Sequence, residues 1–128
     1  MKATELRIGN YIDYETEREI VTMQITYEYI RLIHNGNKNF KPIELTEEWL
    51  LKFGFEKSDN EFYTETFKGD NKSDYYFCIR INDNLCGLVI CERVDEIDNY
   101  SLIVPKYIEY VHQLQNLYFA LTGEELSL

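Results

Sequence analysis

The sequence predicts an α+β fold with mostly antiparallel pairing in one domain spanning residues 1–128. Three observations predict it. Close-spaced β-branched and aromatic runs fill the stretch from Leu6 to about Ile43, the pattern of short strands. A compact helix signature follows at Thr46-Glu-Glu-Trp-Leu-Leu-Lys-Phe-Gly-Phe55. Near the end, Tyr107, Val111, Leu114, Tyr118 and Leu121 recur at alternating spacings of four and three, which gives one apolar helical stripe.

Taken in order, Arg7–Ile12 reads as a short strand and Glu15, Glu17, Arg18 and Glu19 as a charged connection. Ile20–Ile25 and Tyr27–Ile33 read as strands, and Asn35-Gly36-Asn37 as a turn favouring positive φ. Phe40–Ile43 reads as an edge strand, because Pro42 cannot donate to a ladder. Together these predict an N-terminal curled sheet or SH3-like barrel. In the next motif Thr46 is an N-cap, Glu47 and Glu48 meet the positive end of the dipole, and Gly54 closes the helix Glu47–Phe53 so that Phe55 folds back. Glu61–Lys68 alternates, and Tyr75–Ile81 and Leu85–Glu92 form a hairpin about Asn82-Asp83-Asn84. After a polar turn at Asp95–Asn99, Tyr100–Val104 supplies a last strand of this antiparallel sheet. Pro105 then starts, and Gly123 stops, a packed helix Lys106–Leu121 with Glu109, Gln113 and Asn116 on its wet side.

The chain has 128 residues, 45% hydrophobic and 15% aromatic, which excludes intrinsic disorder and allows one core without metal or disulfide support. The net charge of −10, with no basic block, disfavours nonspecific nucleic-acid binding and attachment to anionic membranes. It suits solubility and a basic partner. Cys78, Cys86 and Cys91 form no Cys-x-x-Cys pair and stand in apolar runs, so a reducing cytosol and no disulfide framework are expected. The first residues lack the apolar core of a signal peptide, and no apolar run is long enough for a bilayer.

Chemistry-bearing patterns are few. The six glycines form no phosphate loop, and no serine stands in a Gly-x-Ser-x-Gly elbow. Glu109 and His112 have Glu-x-x-His spacing without a second such unit, so His112 reads as a histidine at the solvent edge or core rim, and His34 as a loop residue. Glu15, Glu17 and Glu19 would share a face if extended, and Asp95, Glu96 and Asp98 resemble half a calcium loop; solvated charge is the plainer reading of both. No enzymatic activity, cofactor or metal is expected. One ligand-site hypothesis remains. Tyr27, Tyr29, Tyr63, Tyr75, Tyr76 and Tyr100, on separate strands or turns, could stack on a planar, nucleotide-like ligand, with Arg80 or Arg93 gripping its phosphate or carboxylate. Core filling and a protein interface are the competing uses of the same rings.

Three segments carry a resemblance: Glu5-Leu-Arg-Ile-Gly-Asn-Tyr11, Pro42-Ile-Glu-Leu-Thr-Glu-Glu-Trp-Leu-Leu-Lys-Phe-Gly-Phe55, and Tyr110-Val-His-Gln-Leu-Gln-Asn-Leu-Tyr-Phe-Ala-Leu-Thr-Gly-Glu-Glu-Leu126. In these the chain resembles a group of small uncharacterised proteins of phages, prophages and mobile elements of Bacteroidota. The resemblance implies a setting in a host cell and no site residue. With the composition it yields two expectations: a non-enzymatic protein that inhibits a host protein through an acidic, Tyr-rich surface, or a sponge for a nucleotide-like signalling molecule of host immunity. A structural phage protein is a further alternative, and a homo-oligomer would cover exposed aromatics.

Overall fold

A computed structural model describes residues 1–58, 61–63, 67–68, 73–80, 85–94 and 96–128. Its elements are a 3₁₀ turn (Ala3–Glu5), β1 (Tyr11–Glu15), β2 (Ile20–Gln24), α1 (Tyr27–His34), β3 (Phe40–Lys41), α2 (Glu47–Lys52), β4 (Glu56–Ser58), β5 (Glu61–Tyr63), β6 (Phe67–Lys68), β7 (Ser73–Arg80), β8 (Leu85–Val94), β9 (Ile97–Tyr107) and α3 (Val111–Thr122). The class is α+β, with every strand pair antiparallel. They form two compact units: Met1–Leu45 with Glu109–Leu126, and Thr46–Ile108 with Ser127–Leu128.

The first unit is built on an open sheet of order β2-β1-β3, not a closed barrel. Alternation along β1 turns Ile12 and Tyr14 to one face, where Leu6, Ile25 and Phe40 bury with Ile12. The predicted strand Tyr27–Ile33 is instead the helix α1. Its β-branched and aromatic content suggests a strand, but Tyr29, Ile30 and Ile33 fall at helical spacing and pack together on the core of this sheet. Glu28 lies in the first turn and Arg31 and His34 in the last, the arrangement the helix dipole favours. The Asn-Gly pair read as a strand turn ends this helix. Gly36 has φ +95°, its N–H donates to Ile33 O (3.1 Å), and Asn37 N–H donates to Leu32 O (3.0 Å), a Schellman stop. The predicted strand Arg7–Ile12 likewise shifts: the ladder begins at Tyr11, after a turn in which Asn10 N–H donates to Arg7 O.

In the second unit the Thr46 hydroxyl accepts from Trp49 N–H (3.4 Å), as expected of an N-cap. Gly54 has φ +87°, and Phe55 N–H reaches back to Leu50 O (3.0 Å), so Phe55 is buried and its ring meets Phe77 edge-on at 6.0 Å. The sheet runs β4-β5-β7-β8-β9, with β6 on β7. The predicted hairpin turn 82–84 lies outside the described residues. Asp95–Asn99, read as a turn, is mostly strand: Val94 faces Ile97, and Glu96 takes φ 64° in the tight connection. Pro105 does not open a helix. It lies in β9, an edge strand whose register shifts by one residue between Cys86 and Leu88 of its partner, where a missing N–H is tolerated.

The last helix therefore starts at Val111, after Tyr110 as N-cap, and the Gln113 side chain accepts from the backbone N–H of Tyr110 (3.1 Å) and Glu109 (3.0 Å). Gly123, at φ 75°, ends it as predicted. Val111, Leu114 and Tyr118 are buried as the stripe requires; Tyr107, assigned to that stripe, is exposed on β9. What fixes α3 in place is polar. Gln115 is 1% exposed; its Oε1 accepts from Tyr11 N–H (2.8 Å), and its Nε2 donates to Gly9 O and Leu126 O (3.2 Å each). Asn116, read as wet, accepts from Asn10 Nδ2 (2.9 Å) and donates to Glu5 O (2.8 Å). Gln115→Leu keeps the volume but leaves Tyr11 N–H and the buried Leu126 O without this partner, while Gly9 O keeps Gln24 Nε2 (3.3 Å). The expected loss is about 3 kcal/mol of unfolding free energy in urea, against under about 1 kcal/mol for the more exposed Gln113→Leu.

Candidate functional site

Eight residues made up the predicted ligand site, and the two units divide them. Tyr27 and Tyr29 belong to the first; Tyr63, Tyr75, Tyr76, Arg80, Arg93 and Tyr100 belong to the second. Tyr27 and Tyr29 share helix α1, not separate strands, and point differently. Tyr29 packs its ring 5.5 Å from Phe40 in the core, whereas Tyr27 is 66% exposed. In the second unit Tyr63 faces Cys78 in the β5–β7 ladder, Tyr75 and Tyr76 face Ile90 and Val89, and Tyr100 faces Cys91. The side chains of Tyr63, Tyr75, Tyr76 and Arg93 lie outside the described residues. Tyr100 is 62% exposed on β9, and Arg80 is exposed. The two arginines sit at opposite ends of the β7–β8 ladder, one residue beyond Ile79↔Cys86 and Ser73↔Glu92 respectively. At about 3.3 Å per residue that separates their backbones by roughly 25 Å, too far for one small anion to bridge.

Cys78 and Cys86 are buried on adjacent strands, behaving as small core residues; Cys91's side chain and Asp95 lie outside the described residues. Among the described residues no cluster of three His, Cys, Asp or Glu side chains is placed to hold a metal ion, and no helix is long and apolar enough to cross a membrane. The charged connection is the tip of the β1–β2 hairpin, closed by Thr16 N–H to Glu19 O (2.9 Å). Glu15, Thr16, Glu17, Arg18 and Asn39 line an open hollow of about 760 Å³ there. The outer side of α1 leaves Tyr27 and Leu32, 66% and 40% exposed, beside the exposed Glu28–Arg31 ion pair (2.9 Å).

The polar interior of the first unit was the part that sequence reasoning missed, although Gln115 among Val111, Leu114 and Tyr118 is its visible trace. His112, read as a rim residue, is 1% exposed, its ring stacked 5.9 Å from that of Tyr110. Neither ring nitrogen has a hydrogen-bond partner among the described residues, and the Glu5 carboxylate stands 3.8 Å from Nε2. Arg7 lies over the Phe119 ring, 3.8 Å to its centroid, and pairs through Nη2 with Glu125, while its buried Nη1 has no hydrogen-bond partner among the described residues. Comparison with protein-family models, curated proteins and solved structures finds no match to this chain.

Burial lowers the His112 pKa below 6.5, more than the nearby Glu5 carboxylate raises it, and the Met1 ammonium adds to the lowering. The folded state thus binds fewer protons than the unfolded chain, whose His112 titrates near 6.5. Stability from this group is full above pH 6.5 and is lost as the pH falls from there through the folded value. Urea titrations of wild type and His112→Leu across that range check it. The wild type loses stability on acidification through this window, and the difference between the two proteins shrinks or reverses in favour of the variant; a constant difference refutes the assignment.

Proposed function

We propose that this chain is a non-enzymatic binding protein that engages another protein through an acidic, tyrosine-bearing surface. The observation that carries it is the outer side of α1. A helix that packs Tyr29, Ile30 and Ile33 into a core also holds Tyr27 and Leu32 out in water beside Glu28. A large ring left wet on an ordered helix loses little side-chain freedom on binding and removes much apolar area from water when covered. The net charge of −10 favours a partner with basic surface and speeds encounter with it. In the mobile-element setting that the three sequence segments imply, that partner is a host protein and the consequence is its inhibition.

The test is retention of host polypeptides by the immobilised chain, with native mass spectrometry of the eluate. Tyr27→Ala with Leu32→Ala is expected to lower affinity for the retained protein by about thirtyfold, the scale of an interface anchor, with an unchanged melting temperature. Equal retention by wild type and the double variant overturns this surface. A small added mass that leaves on denaturation, with no polypeptide retained, overturns the protein-binding reading in favour of a sponge.

A further inference from the structure

Sheet edges invite strands from other molecules, and proteins ordinarily blunt them with lysine, proline, bulges or extreme shortness. Four edges here follow that rule. β3 is two residues long, contains Lys41 and is followed by Pro42; β4 contains Lys57 and β6 contains Lys68; β9 combines Pro105, Lys106 and a register shift. The edge strand β2, Ile20-Val-Thr-Met-Gln24, has none of these devices, and its Ile20 and Val21 are 63% and 40% exposed. We propose that β2 is a docking edge for an extended basic segment of a partner protein, in which lysines or arginines alternate with apolar residues.

The phase of the backbone supports a specific geometry. Glu15 N–H donates toward β3, to Asn39 O (2.9 Å), and Ile25 N–H donates to Asn10 O (2.7 Å). Donor direction alternates along a strand, so odd positions of β1 serve β3 and even positions serve β2. In the observed register Val21 and Met23 are then the hydrogen-bonded partners of Tyr14 and Ile12. The N–H and C=O groups of Ile20, Thr22 and Gln24 point away from the sheet, and among the described residues no strand pairs with them. An added strand would set alternate residues beside Val21 and Met23, extending the apolar layer of Ile12 and Tyr14. Its other residues would fall on the face where the Thr22 hydroxyl donates to Asp13 (2.6 Å) and the exposed hairpin tip begins. That tip carries Glu15, Glu17 and Glu19 against the single cation Arg18, and none of the three glutamates has an ion-pair partner among the described residues. The complement is basic. A second copy of this chain would bring the same carboxylates and a further net charge of −10, which opposes self-pairing.

This inference rests on the reading of the chain as a protein-binding protein and names the chemistry of the segment it takes. The probe is a synthetic peptide of about ten residues alternating lysine with valine, with a glutamate–valine peptide as control. Amide hydrogen exchange on the full chain reads it. Binding is expected to slow exchange at Ile20, Thr22 and Gln24 by about tenfold or more, with little change at the already paired Val21 and Met23. Thr22→Pro removes an outward donor and no ladder bond to β1, and is expected to weaken peptide binding about tenfold. Glu17→Lys with Glu19→Lys is expected to weaken it similarly without touching any backbone bond, so a misfolded Thr22→Pro does not leave the question open. No added protection at those three amides, equal binding of the glutamate peptide, or protection that rises with protein concentration alone would overturn the proposal. Failure here with Tyr27-dependent capture intact removes the edge and leaves the binding function standing; loss of that capture with the peptide still docked does the reverse.

Discussion

The Gln115 carboxamide is the constraint on which the first unit depends. It lies in the middle of a helix whose inward residues, His112 apart, are apolar, and it ties the helix to the Gly9–Tyr11 stretch about a hundred residues before it and to the end of the chain at Leu126. Its oxygen takes the first donor of β1, and its nitrogen serves the carbonyls of Gly9 and Leu126. A buried amide with all these partners is specific in a way that Val111 and Leu114 are not, since apolar contacts tolerate sliding and a three-way hydrogen-bond set does not. Asn116 and Asn10 extend the set by one more pair, and Arg7 lies over Phe119 beyond it. The helix is thereby held in one rotation against the start of the sheet, and His112 is buried as a consequence, with neither ring nitrogen hydrogen-bonded among the described residues.

The same unit explains how the chain can make a long excursion and return. Leu45 N–H donates to Glu109 O and Val111 N–H donates to Ile43 O (2.9 Å each), with Glu44 bridged to Tyr110. The segment that leaves the first unit and the one that re-enters it are therefore hydrogen-bonded side by side. Everything from Thr46 to Ile108 is inserted at that one point. Insertions are tolerated where their ends lie close together, because the host unit then closes its own core independently of what the inserted stretch does.

The surface follows from this economy. α1 has one side for the core and one side in water, so its residues divide between Tyr29 and Tyr27 roles within a single turn of helix. Among the described residues β2 pairs with β1 alone, and its other side combines exposed aliphatic side chains with an acidic tip. Both features lie in the first unit, where aromatic and aliphatic groups in water stand close to carboxylates. That combination is what the proposed recognition of a basic protein surface rests on.

Local chemistry was legible in the residues wherever one short motif carried it. Thr46, Glu47 and Gly54 announced α2 and its stop, Gly123 announced the end of α3, and the spacing of Val111, Leu114 and Tyr118 announced its buried face, because caps and helical periods are written within a few residues. The mixed class and the antiparallel pairing were readable for the same reason. Three things were not. Tyr27–Ile33 has strand composition but lies on a core that rewards Tyr29, Ile30 and Ile33 at helical spacing, and that core is made by Ile12 and Phe40 from elsewhere in the chain. Pro105 resembles a helix start until its edge position and the β9 register shift make its missing N–H harmless. The proposed grouping of tyrosines and arginines depended on which strands are neighbours, and β7–β8 pairing puts Arg80 and Arg93 at opposite ends. Caps act within one turn of chain, whereas a buried Gln115, a wet Tyr27 or an open β2 edge is defined by which other segments fold against it, from β1 a few residues before β2 to Tyr11, 104 residues before Gln115, and that arrangement exists only in the folded chain.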